Sequence, residues 1–241
     1  MMEVFLQPES WIALLTLTFL EIVLGIDNII FISIIANKLP KEQQPRARFI
    51  GLALALVVRI FMLLGISWLI GLTEPLFHVF EIPVSGKNLI LMGGGLFLLA
   101  KSTSEIHAKV AGEDHEERVG TKKTNAFASI ILQIVLLDIV FSFDSILTAV
   151  GMSDDIPVMV AAVIIAIIVM MIFAERISNF INNQPTLQVL ALSFLILIGF
   201  MLVVEGLPME DIHVPKGYIY FAVFFSLGVE VLNMRMRKRK Q

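Results

Sequence analysis

Seven stretches of this chain are too apolar to fold in water, and most are long enough to cross a bilayer. Their approximate limits are 11–36, 50–72, 86–101, 126–150, 156–175, 187–205 and 217–234. Crossing the hydrocarbon takes about 20 apolar residues as a helix. The backbone inside must satisfy its own hydrogen bonds, so only helices and closed barrels span. These runs are unbroken rather than alternating, which excludes a membrane β-barrel. Of 241 residues, 57% are hydrophobic and 16% are charged, against about 25% charged in a soluble domain. The expectation is an all-α polytopic membrane protein, one transmembrane domain over 1–241. The start is acidic (Glu3, Glu9) and lacks a basic n-region, so no cleavable signal peptide is read. The third run is short and carries Gly93, Gly94 and Gly95, which let neighbouring helices pack closely.

Basic residues set the expected orientation. Connections after the first, third and fifth runs, together with the tail, carry 15 of the 18 Lys and Arg. Among them are Lys38, Lys101, Lys109 and Arg176. The other side has Lys87 and Lys216, and Arg59 lies inside the second run. The positive-inside rule then places the N-terminus outside and the C-terminus in the cytoplasm, which an odd number of crossings requires.

The chain also repeats itself. Leu20-Glu21-Ile22-Val23-Leu24-Gly25-Ile26-Asp27-Asn28-Ile29-Ile30 returns 117 positions later as Leu137-Asp138-Ile139-Val140-Phe141-Ser142-Phe143-Asp144-Ser145-Ile146-Leu147. At the same offset Pro40 matches Pro157 and Arg59-Ile60 matches Arg176-Ile177, while Gly95 matches Gly199 at an offset of 104. Runs one to three (about 11–101) therefore recur as runs four to six (about 126–205), and the seventh (about 217–234) is extra. Three crossings per unit insert the second unit upside down. Such inverted repeats build many secondary transporters, with the site near the midplane. Chance likeness between apolar helices is weak as an alternative for residues 20–30 and stronger for the third and sixth runs.

Each copy carries two acids six residues apart. A carboxylate at the bilayer centre costs on the order of 2.5–3.5 kcal/mol, so four unpaired ones cost roughly 10 kcal/mol. A duplicated burden of that size points to a cation site. Glu21 and Asp138 lie mid-span. Asp27 and Asp144 lie about 9 Å further along at 1.5 Å per residue, displaced in opposite directions. The four form a ladder across the bilayer. Six residues also turn a regular helix by about 600°, so the acids of one pair sit about 120° apart. A break at Gly25 and at Ser142 is therefore expected, which would free backbone carbonyls as ligands. Asn28 and Ser145 follow the second acid and offer neutral oxygens. Thr16, Ser129 and Gln133 are weaker candidates. With no cysteine in the chain, the donors are all hard oxygens, which suit Mg²⁺, Ca²⁺ or Mn²⁺. The plainer reading pairs these acids with Arg59, which serves either as counter-charge in the pathway or as a structural clamp. Glu205, Lys101, Glu175, Arg176, Glu230 and Asn233 fall near span ends, where the interface accounts for them. His78, His107, His115 and His213 are expected in loops, and the acidic run 113–117 reads as a solvated loop.

Leu24-Gly25-Ile26-Asp27-Asn28, Phe141-Ser142-Phe143-Asp144-Ser145 and His213-Val214-Pro215-Lys216-Gly217-Tyr218-Ile219-Tyr220-Phe221 together resemble the TerC family of bacterial integral membrane proteins. The likeness runs over about residues 10–235 and is to the short form without appended cytoplasmic domains. It implies the inverted-repeat fold of LysE-type exporters, location in the bacterial inner membrane, and divalent metal transport, with manganese export foremost. It carries a metal-ligand role to Glu21, Asp27, Asn28, Asp138, Asp144 and Ser145. Gly25 departs from the family, where serine is common as in the second copy.

The leading function is thus a non-enzymatic secondary transporter of Mn²⁺, with proton exchange as one coupling scheme. No nucleotide-binding loop is present, so the energy comes from a gradient or from outside the chain. The expected partners are membrane lipid and the metal ion as substrate, with no permanently bound cofactor and no nucleic acid. Protein partners are not legible. A non-transporting scaffold that aids metallation or insertion of exported proteins is the second reading. An intramembrane aspartyl protease built on Asp27 and Asp144 is the third, and it leaves Glu21 and Asp138 without a task.

Overall fold

A computed structural model describes residues 7–80, 82–111, 123–151, 155–208 and 216–238. Eight helices and one short hairpin appear among them: α1 (Pro8–Ala36), α2 (Gln44–Leu64), α3 (Ile66–Gly71), β1 (Pro75–Val79), β2 (Ile82–Ser85), α4 (Gly86–Val110), α5 (Lys123–Val150), α6 (Ile156–Asn182), α7 (Pro185–Glu205) and α8 (Lys216–Lys238). Seven of these helices are long and apolar enough to cross a membrane, and α3 is the exception. The chain is an all-α polytopic membrane protein.

Helix starts follow from local chemistry. Proline occupies the first or second position of α1, α2, α6 and α7, where its missing N–H costs nothing. Ser85 caps α4 by accepting from the Asn88 backbone, while the Asn88 side chain accepts from the Ser85 backbone.

Several boundaries differ from those expected. The second run divides at Gly65 into α2 and α3. Residues 75–85 form an antiparallel hairpin, with Phe80 in the turn at φ 48°. The third run is not short: α4 continues to Val110 over 25 residues. Lys101, His107 and Lys109 therefore lie on a helix rather than in a loop. Arg176 likewise lies on α6, where its guanidinium stands 5.9 Å from the Phe173 ring. His78 is in β1. His115, His213 and the 113–117 run lie outside the described residues.

The four most extensive helix pairings are α4 with α7, α1 with α6, α2 with α5, and α2 with α6. Each joins the first half of the chain to the second. Small residues permit the closest crossing. A Cβ on Gly95 would lie 2.6 Å from the Gly199 carbonyl oxygen, and one on Gly199 would lie 3.1 Å from that of Gly95. The core is aliphatic, built on Ile35, Leu91, Leu98, Ile134, Ala166, Ile167 and Leu195. Large apolar side chains such as Phe19, Phe61, Trp68, Ile172 and Phe224 point outward, as a surface solvated by lipid tails requires.

Both acid-bearing helices are unbroken. α1 and α5 remain α-helical through Gly25 and Ser142, so the expected unwinding does not occur. Gly25 serves proximity instead: a Cβ there would collide with the Met170 thioether of α6. Ser142 keeps helical geometry and turns its hydroxyl to Asp138.

Candidate functional site

Glu21 and Asp138 come from different halves of the chain and meet in the core. Their helices place them there by pattern: each acid sits on the stripe of α1 or α5 that faces the other helices, and both are at least 95% buried. Isolated buried carboxylates would be costly in so apolar a setting. A cation from α2 offsets that cost. Arg59, only 2% exposed, lies between the two acids.

The geometry is a fork. Arg59 Nη1 donates to Glu21 Oε2. Nη2 donates to Asp138 Oδ1 at 3.0 Å. Nε donates to the same carboxylate, at 3.3 Å to Oδ1 and 3.5 Å to Oδ2. A planar guanidinium with five donors can hold two carboxylates at once, which a lysine ammonium does poorly. One residue thus ties α1, α2 and α5 together. Two carboxylates and one guanidinium leave a formal charge of −1 on the triad.

Neutral groups complete the cluster and cross between the halves. Asn28 Nδ2 on α1 donates to Asp138 Oδ1 at 3.3 Å. Ser145, its equivalent on α5, donates to the Ser142 carbonyl at 3.2 Å. Ser142 Oγ donates to Asp138 Oδ2 at 3.2 Å. The first copy of the motif thus supplies a neutral side chain, Asn28, to the second copy's acid. One oxygen is left over: Asn28 Oδ1 is buried with no hydrogen-bond partner. Beyond Glu21 lies a cavity of about 10 Å³ lined otherwise by apolar side chains such as Leu17, Leu63, Ile146 and Met159, near the lower limit for one water.

Of the six residues singled out as ligands, Glu21, Asn28, Asp138 and Ser145 are brought together. Asp27 and Asp144 lie on α1 and α5, but their side chains are outside the described residues. Unbroken helices keep the Cα atoms of each acid pair about 120° apart around the axis. Among the described residues no three His, Asp or Glu side chains converge as a ready-made metal centre. The weaker candidates stay local: Thr16 donates to Ile12 O, and Gln133 to Ser129.

A second polar cluster escaped the sequence reading. At the end of the bundle where α1, α4 and α6 finish, a cavity of about 280 Å³ is lined by Asn37, Lys41, Gln44, Glu105, Lys109 and Asn182, among others. Glu105 is buried and pairs with Lys38, and with Lys101 at 3.5 Å. Asn37 and Asn182 exchange side-chain hydrogen bonds, and Arg48 donates to Ser178 at 2.9 Å. The four-residue spacing of Lys101, Glu105 and Lys109 was the available signal, since it is the pattern of one helix face.

Comparison with known proteins decides the family. The model of the integral membrane protein TerC family matches residues 6–241. The chain belongs to the TerC family. Among its TerC-family relatives is a Haemophilus influenzae protein named "UPF0053 protein", 50% identical over 238 residues and covered to 99% in both chains. The Escherichia coli "UPF0053 inner membrane protein YgdQ" is 53% identical over 233 residues, 97% of this chain and 96% of its own. The Escherichia coli "UPF0053 inner membrane protein YoaE" is 48% identical over 237 residues, 98% of this chain but 45% of its own length. No solved structure matches. Taken with the seven spanning helices, these relatives make this TerC protein a multi-pass inner-membrane protein.

Proposed function

We propose that this TerC-family chain is a secondary transporter that carries a divalent cation, foremost Mn²⁺, out of the cytoplasm. The observation that carries the reading is the meeting of Glu21 and Asp138, buried inside spanning helices from opposite halves of the chain. Intramembrane acids that face a bundle interior mark ion pathways more often than scaffolding. Their neighbours Asn28, Ser142 and Ser145 add oxygen donors and no sulfur, a set that suits Mn²⁺ or Mg²⁺ better than soft metals. Asp27 and Asp144 extend the set on the same helices. The internal repeat supports alternating access around this centre, with the N-terminus outside and the C-terminus in the cytoplasm. Carboxylates that release a cation can take up protons, so exchange against protons needs no further machinery.

The test is flux. Proteoliposomes loaded with Mn²⁺ are compared for the wild type, Asp138→Asn and Asp27→Asn. The expected result is wild-type efflux and at least a tenfold loss in each variant. Equal efflux from wild type, variants and empty vesicles, across Mn²⁺, Mg²⁺ and Ca²⁺, overturns the proposal. That outcome, with a co-purifying exported protein, would turn the assignment toward a metallation or insertion scaffold.

A further inference from the structure

The centre described above already holds a cation, the Arg59 guanidinium. We propose that Arg59 is a tethered cation that holds the seat between Glu21 and Asp138, and that the transported dication must displace its guanidinium to bind. This rests on the transport reading and specifies how its site is opened and shut.

Three observations lead there. First, the guanidinium is already seated on both acids: Arg59 engages Glu21 through Nη1 and Asp138 through Nη2 and Nε. The described cavity against Glu21 is about 10 Å³, too small for a cation with its own water.

Second, the charge balance favours exchange over addition. With Arg59 seated the triad carries −1. A dication in its place makes the two carboxylates and the ion neutral. A dication added beside Arg59 would raise the triad to +1, and Asn28, Ser142 and Ser145 around it are neutral and do not offset a buried positive charge. Conversely, removal of either cation alone strands two buried carboxylates. Within the triad, exchange of one cation for the other keeps the two buried carboxylates paired throughout.

Third, the cluster holds an unspent acceptor. Asn28 is 6% exposed and its Oδ1 has no partner, while its Nδ2 is spent on Asp138. Arg59 does not reach this oxygen. An orphaned buried acceptor on a side chain bonded to Asp138 calls for an explanation. A cation that binds all three oxygens supplies one.

The repeat sharpens the assignment. Glu21 and Asp138 are equivalents, and so are Arg59 and Arg176, yet Arg176 is exposed beside Phe173. Two equivalent acids thus share one arginine.

The experiment measures Mn²⁺ binding and Mn²⁺ flux on the purified full chain, with manganese chloride as the probe. Wild type, Arg59→Gln and Arg59→Lys are compared. The expected result is opposed changes: Arg59→Gln binds Mn²⁺ at least tenfold tighter and moves it at least tenfold more slowly, with Arg59→Lys between. A structural role would weaken both together. Should Arg59→Gln aggregate, Arg59→Lys decides alone: tighter binding with slower flux supports displacement, and unchanged or weaker binding overturns it. Wild-type flux with no tightening in either variant sinks the displacement and leaves transport standing. No Mn²⁺ binding or flux in any of the three sinks the transport reading, and displacement with it.

Discussion

Gly95 and Gly199, equivalents at an offset of 104 in the sequence, press backbone against backbone where α4 crosses α7. In lipid the approach of two backbones replaces hydrophobic burial as the force between helices. The contact therefore depends on the absence of a methyl group. Gly95→Ala places its Cβ 2.6 Å from the Gly199 carbonyl and 2.8 Å from Val203. The expected cost is about 1–3 kcal/mol, as for other overpacked cores. Gly93 has nothing within 4 Å of an added Cβ, and Gly93→Ala should be neutral or slightly stabilising. Thermal unfolding in detergent checks both, and equal shifts in the two variants would contradict the crossing.

Arg59 makes the triad's members depend on one another. Arg59→Met alone leaves two buried carboxylates without their cation, and the expected loss is about 3–5 kcal/mol. Neutralising the acids as well, in Glu21→Gln/Arg59→Met/Asp138→Asn, should recover most of that loss. The stability of single and triple variants in detergent measures the coupling. A triple variant as unstable as the single one would show that the charges act independently.

Gly25 and Met170 should behave as a size-matched pair. Gly25→Ser drives a side chain into the Met170 thioether, at an expected cost of about 1–3 kcal/mol. Met170→Ala in the same chain should restore stability by opening the space. If Gly25→Ser unfolds at the wild-type temperature without the second change, the glycine is not there for closeness.

Glu105 anchors the α1–α2 connection to α4. Its charge-assisted bonds to Lys38 and Lys101 predict a loss of about 1.5–3 kcal/mol for Glu105→Ala. A double-mutant cycle with Lys38→Ala should show coupling between the two sites. Additive losses would mean that the pair does not hold the connection.

The span pattern was legible because lipid imposes it on every residue of a crossing helix. What α4 does beyond residue 101 was not. Its last turns are polar, and Glu105 is buried only because the chain after α1 brings Lys38 over it. That is a tertiary fact with no local trace except the Lys101–Glu105–Lys109 spacing. The hairpin was hidden similarly: it falls between the second and third runs, and Pro75 and Pro83 lack the N–H that a strand ladder uses. Glu21 and Asp138 stood out through their duplication, and Arg59 through its place near the middle of the second run. That one arginine serves both acids follows from how α2 crosses α1 and α5, which sequence spacing does not fix. Gly25 shows the limit most clearly. A glycine that lets a helix break and a glycine that lets another helix approach look the same in a string of letters.

The continuity of α1 and α5 carries a mechanical consequence. A stiff rod cannot flex at its middle, so neither end can rearrange in isolation. Access to the centre from one face or the other then has to come from tilting of whole helices, and each tilt moves an acid and its neighbouring polar groups as a fixed set. Under the proposed transport, selectivity likewise falls to side chains, since α1 and α5 release no main-chain oxygen at Gly25 and Ser142. If the centre takes an ion as proposed, exchange of a single carboxylate, amide or hydroxyl should therefore be enough to retune which one it accepts.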